Sequence, residues 1–122
     1  MGQKQFLQLG GSAFVLLGIL GFVGVLGPTA DQSLFGATWW FDDAENWAHL
    51  VLGIILLAAS FAFPAGVQKP LVLLVGALAV FVGIWGFASP LLLGANLENP
   101  ADNVLHLAIG AWALWAGMRK EQ

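Results

Sequence analysis

The sequence predicts an all-α integral membrane protein: a four-helix bundle built from two tandem duplicated helical hairpins, with both termini cytoplasmic. Three observations predict it. Of the 122 residues, 59% are hydrophobic and only 9% are charged, where an ordinary soluble domain carries about 25% charged residues. Four apolar stretches are long enough to cross a bilayer, which takes roughly 17–25 helical residues. The motif acidic–Asn–x–x–His–Leu–x–x–Gly occurs twice, as Glu45–Gly53 and Asp102–Gly110, and holds both histidines of the chain. At this length the chain is one transmembrane domain, residues 1–122.

The helices are expected at residues 6–26, 45–63, 71–88 and 102–118. Pro28, Pro64 with Pro70, and Pro90 punctuate them, as proline does at helix ends. The first stretch has the layout of a signal peptide, with Lys4, an apolar core and Ala30 beyond it. Its apolar run is longer than a signal core, so it is read as a retained helix. Gly18-Ile19-Leu20-Gly21-Phe22 in the first helix matches Gly83-Ile84-Trp85-Gly86-Phe87 in the third. The repeats therefore cover about 6–63 and 71–118. Two crossings return the chain to its starting side, so the copies have one orientation, related by a pseudo-twofold axis along the membrane normal.

Charge fixes the expected orientation. Lys4, Lys69, Arg119 and Lys120 flank one side, and Asp31, Asp42, Asp43, Glu45, Glu98 and Asp102 fall on the other. Basic flanks stay in the cytoplasm, so the acidic loops face outward from a bacterial cytoplasmic (inner) membrane. So few basic residues exclude nucleic acid as a partner. The absence of cysteine removes disulfides, thiolate metal sites and a cysteine nucleophile. No serine stands in a nucleophile context, so no catalysis is expected.

Glycines at Gly18, Gly21 and Gly24, continued by Gly27, form a stripe for close helix packing. Gly53, Gly83, Gly86 and Gly110 are expected to act likewise. Positions i, i+3 and i+7 share a helix face, which aligns Asn46, His49, Gly53 and Ser60 in the second helix and Asn103, His106, Gly110 and Gly117 in the fourth. Polar groups inside a membrane face the bundle, so this stripe points inward. Asp42 with Glu45, and Asn99 with Pro100 and Asp102, fit helix starts in which the side chains accept the free N–H groups.

The histidines carry the functional reading. The carboxylate four residues before each, Glu45 or Asp102, lies on the same face and is placed to accept a ring N–H. One reading makes His49 and His106 interhelical clamps to Asn or to backbone. A second makes them ligands to a metal, a haem iron or a chlorophyll magnesium, with Glu45 and Asp102 behind them, and a third places them on a proton relay or in a small-molecule pocket. The metal and cofactor are unknown from sequence. Trp39 and Trp40 read as interfacial aromatics, with a lid or a partner-docking ridge as the alternative.

The repeated Asn-x-x-His-Leu-x-x-Gly, here Asn46, His49, Leu50, Gly53 and Asn103, His106, Leu107, Gly110, resembles an uncharacterised family of small bacterial four-helix membrane proteins. The resemblance spans nearly the whole chain and implies fold and membrane location; the Trp39-Trp40 insertion departs from it. The expected role is an accessory or scaffold subunit in the lipid bilayer, packed against itself or other membrane subunits. A cofactor carrier using the His pair, and a small transporter or channel, are the competing readings.

Overall fold

Two antiparallel helical hairpins lie side by side in the structure, a computed structural model describing residues 2–92, 94–98 and 100–120. Helices α1 (Gln3–Phe22) and α2 (Asp43–Ala62) form the first, and α3 (Ala65–Ala88) and α4 (Ala101–Met118) the second. A loop with two 3-10 turns, Ala30–Gln32 and Gly36–Thr38, joins α1 to α2. Two short antiparallel strands, β1 (Leu91–Leu92) and β2 (Ala95–Asn96), lie between α3 and α4, with Leu92 opposite Ala95. Helices α1, α2 and α3 are long and apolar enough to cross a membrane; twenty helical residues extend about 30 Å. Helix α4 has 18 residues and is less apolar, because Asp102, Asn103 and His106 occupy its first turns.

Each hairpin is zipped through its glycines. A Cβ added to Gly53 would come within 2.7 Å of both the Gly11 carbonyl oxygen and the Val15 nitrogen. In the second hairpin, a Cβ on Gly110 would lie 3.0 Å from the Gly76 oxygen and 2.9 Å from the Val80 nitrogen. The equivalent positions of the two hairpins thus make equivalent contacts. Gly18 meets the Leu50 backbone nitrogen at 2.9 Å, and Gly83 meets Leu107 at 2.8 Å and the Asn103 carbonyl at 3.1 Å. The buried core lies lower and between the pairs, built on Phe6, Leu7, Leu56, Val72, Ala113 and Ala116. Phe6 packs edge-on against Trp112, with centroids 4.7 Å apart.

Several boundaries differ from the expected ones, for local reasons. Helix α1 ends at Phe22, not residue 26. Gly24 takes φ +87° and lets the Val25 and Leu26 N–H groups fold back onto the Leu20 carbonyl, a glycine-dependent helix stop. Gly24 therefore terminates the helix, and a Cβ built there would meet none of the described residues, unlike Gly18 and Gly21 of the expected stripe. Gly27 lies beyond the helix, where its bare Cα lets the Phe41 carbonyl approach. Helix α3 begins at Ala65 and runs through Pro70. The Gly66 carbonyl that Pro70 cannot bond is on an exposed turn, where water can satisfy it, so the proline does not break the helix. At the start of α4, Pro100 is the residue before the helix rather than its first residue. The expected cap Asn99 lies outside the described residues.

Two glutamines tie the hairpins together at the basic end. The last carbonyls of a helix have no N–H of their own. Gln68 of α3 donates its side-chain N–H to the Phe63, Ser60 and Ala59 carbonyls at 3.0, 3.2 and 3.3 Å. Gln3 of α1 donates likewise to the Ala116 and Arg119 carbonyls at 2.7 and 3.0 Å. Both glutamines are buried. Gln3 crosses from the first hairpin to the second, and Gln68 crosses back.

Replacing Gly53 with Ala puts a methyl onto backbone that cannot step aside, so the seam must open. Thermal unfolding in detergent is expected to show a loss of about 1–3 kcal/mol. Gly66→Ala, which meets open space, is expected to change stability by no more than about 0.5–1 kcal/mol, in the stabilising direction.

Candidate functional site

The acidic end is organised around buried carboxylates. At the start of α2, the Asp42 carboxylate accepts the Glu45 N–H at 2.9 Å, and Glu45 Oε1 accepts the Asp42 N–H at 3.4 Å. This is the reciprocal helix start expected from the sequence. The second Asp42 oxygen accepts the Asn96 N–H at 2.8 Å, which binds the start of α2 to the β2 strand of the other hairpin.

Asp102 behaves differently from a simple helix cap. Its Oδ2 accepts the Glu98 N–H at 3.0 Å, and its Oδ1 accepts the Trp39 indole N–H at 2.9 Å. Glu98 Oε1 in turn accepts the Trp40 backbone N–H at 2.8 Å, and Oε2 accepts the Asn96 side-chain N–H at 2.7 Å. Carboxylate oxygens of Glu45, Glu98 and Asp102 lie within 4.8 Å of one another, and all three residues are buried. Of these oxygens, Glu45 Oε2 is buried without a hydrogen-bond partner. Burial, reinforced by the Asp102 charge, pushes the Glu98 carboxyl up to about 8 against the opposing pull of the Trp40 N–H.

The polar stripe divides between two surfaces. Asn46 and Asn103 are fully buried and turned into the seams of their own hairpins. The Asn46 oxygen occupies the place where a Cβ on Gly21 would stand, and the Asn103 oxygen does the same over Gly86. Gly21 and Gly86 are needed for that reason. The asparagines are therefore not partners of the histidines. Ser60 Oγ donates to the Leu57 carbonyl of its own helix at 2.6 Å.

His49 and His106, with Glu45 and Asp102, line a cavity of about 430 Å³ between the hairpins. Apolar side chains form most of its wall, among them Leu17, Leu52, Leu78, Val82 and Ile109. The two histidines differ despite their shared motif. His106 Nδ1 lies 2.7 Å from the Asp102 backbone carbonyl. A carbonyl only accepts, so Nδ1 carries a proton and donates it there. The acceptor is the backbone carbonyl rather than the carboxylate expected from sequence. His49 Nδ1 is buried without a partner. Its ring stacks on Phe14 at 5.9 Å and meets the edge of Phe41 at 5.0 Å.

The residues at equivalent places in the two copies also differ. Phe14 stands before Gly18 where Ala79 stands before Gly83. Phe41 stands before Asn46 where Glu98 stands before Asn103. One copy has a ring at each place, and the other has a methyl and a carboxyl. The missing ring at Ala79, itself on the cavity wall, leaves room between the hairpins. Trp39 closes one side of that space, packed edge-on to Phe41 at 5.1 Å. Its indole N–H is turned inward to Asp102, while the residue stays half-buried. Trp40 is half-buried and contributes its backbone N–H to Glu98.

Glu98, Asn96, Gln3 and Gln68 escaped the sequence reading. Gln3 and Gln68 sit at equivalent places in the two copies, a signal that extending the repeat beyond its glycines reveals. Glu98 had no such signal, because its counterpart is Phe41. No protein-family model, curated protein or solved structure matches the chain.

An acid with a raised folded-state value holds its proton in the folded chain while the unfolded chain ionises. Stability is therefore expected to fall as pH rises from the ordinary 4.5 of Glu98 to about 8. Thermal unfolding across that range checks the slope, which Glu98→Gln is expected to flatten.

Proposed function

We propose that this chain is an integral protein of the bacterial inner membrane that binds a small, largely apolar molecule between its two hairpins, without catalysis of its own. The observation carrying this reading is the cavity. Two hairpins, each closed on itself through glycine, leave about 430 Å³ between them, with apolar walls and a few polar groups at one end. That combination is typical of small-molecule sites.

Membrane insertion is supported by the outer surfaces of the helices. Leu16, Ile19, Ile54, Phe61, Phe81 and Ile84 are exposed, and such apolar surface needs lipid or protein cover. The basic residues at the Gln3 and Gln68 end support cytoplasmic termini. The two similar hairpins support an internal duplication, as the resemblance to small bacterial four-helix proteins implies. The accessory-subunit role narrows accordingly to a binding subunit in the bilayer.

The test uses 1-aminoanthracene, a neutral fluorescent aromatic, titrated into detergent-purified protein. Ala79→Phe restores in the second copy the ring that the first has at Phe14, and so fills the cavity. Saturable fluorescence in the native chain is expected, weakened about tenfold or more in Ala79→Phe with helicity by circular dichroism unchanged. Equal titrations of the two proteins would overturn the cavity as a binding site.

A further inference from the structure

We propose that the molecule held in the cavity is an organic cation, an alkyl- or aryl-ammonium, with its charge beside Glu45 and Asp102 and its apolar body along the leucine-lined wall. This rests on the cavity being a ligand site and names the chemistry of its occupant.

Three observations lead there. Glu45, Glu98 and Asp102 bring carboxylate oxygens within 4.8 Å of one another in buried surroundings. No Lys or Arg is among the cavity-lining residues; Lys4, Lys69, Arg119 and Lys120 belong to the opposite ends of the helices. Ionising a buried carboxyl without a fixed Lys or Arg beside it is costly, and a cationic ligand is the counter-charge that would let these carboxyls ionise.

Next, Glu98 and Asp102 each accept N–H groups on both carboxylate oxygens. A metal ion would compete with those bonds for its donors. Glu45 is different, since its Oε2 is buried with no partner. It offers one acceptor to an ammonium N–H, or one negative charge to a quaternary nitrogen. A metal would also leave the long apolar part of the cavity without a purpose.

The third observation is the ring wall. Phe14, Phe41 and Trp39 line the same cavity as Glu45, with Phe41 and Trp39 packed edge to face. Aromatic faces attract cations, most strongly when both are desolvated, and they are the usual recognition surface for quaternary ammonium groups. Carboxylates with rings at one end, and Leu52, Leu78 and Ile109 along the walls, match a cation carrying an apolar body.

The experiment compares benzyltrimethylammonium with neopentylbenzene, its neutral isostere, as displacers of 1-aminoanthracene from the native chain. The cation is expected to displace at least about tenfold more effectively, and Glu45→Gln to remove that advantage while still binding 1-aminoanthracene. Equal displacement by cation and isostere would overturn the cation proposal and leave the cavity standing. An undiminished preference for the cation in both Glu45→Gln and Asp102→Asn would overturn the carboxylate assignment. Failure of 1-aminoanthracene to bind the native chain at all would remove the cavity and the cation together. The native-chain comparison needs no variant to fold.

Discussion

Backbone-to-backbone approach at glycine governs this architecture. Where Gly53 faces Gly11 and Gly110 faces Gly76, the two helices of a hairpin come so close that a single methyl has no room. Small residues are what allow helices to associate where lipid is as apolar as any side chain. The consequence reaches beyond the seam. A pair of helices zipped tightly along one face presents its larger side chains on the others. Those that meet between the hairpins must fill the interior themselves. They do so at the basic end, with Phe6, Leu7, Leu56 and Trp112. Toward the acidic end, Ala79 is too small, and the interior stays open.

The hairpins are consequently pinned at their two ends and loosely filled toward the acidic one. At the basic end the pins are Gln3 and Gln68, each donating to the last carbonyls of a helix of the opposite hairpin. At the acidic end, Trp39 and Trp40 from the first hairpin bind Asp102 and Glu98 of the second, while Asn96 of the second binds Asp42 of the first. Polar groups buried at such depth are costly to leave unpaired, and these ones find partners across the hairpins. The same bonds that satisfy them also fix the separation of the hairpins and hence the width of the cavity.

Much of this was legible in the chain, and the parts that were not have physical causes. The existence of the four helices, the pairing of Gly18 with Gly83, and the reciprocal Asp42–Glu45 start follow from periodicity, repeat and spacing. The division of the polar stripe does not. Residues three and four apart share a broad face, but a helix with neighbours on two sides splits that face. Asn46 falls on the glycine seam, and His49 falls on the cavity. Helix ends misread from apolar content alone, as at Gly24 and Pro70, turn on a local φ and on solvent reaching one carbonyl. Trp39 was the hardest residue to place. Nothing in an inserted loop reveals that its indole N–H reaches across to a carboxylate of the other repeat.

The departures from symmetry are where the chemistry gathers. Two identical copies would give each histidine the same surroundings and the hairpin interface a uniform filling. Here the first copy has Phe14 and Phe41 around His49, and the second has Ala79 and Glu98 at the matching places. The alanine removes volume, and the glutamate adds a carboxyl beside Asp102 and Glu45. The first change opens the space between the hairpins. The second adds to the carboxyl cluster formed with Glu45 and Asp102, which line that space. The Trp39 insertion, also unmatched in the second copy, lines it too. A scaffold that only packs gains nothing from such changes, since lost volume weakens its core and a buried carboxyl needs partners that a phenyl ring does not. The polar groups that surround Glu98, drawn from Trp40 and Asn96, offset that cost without filling the cavity. The asymmetry therefore argues for an occupant between the hairpins over packing as the purpose of this end of the molecule.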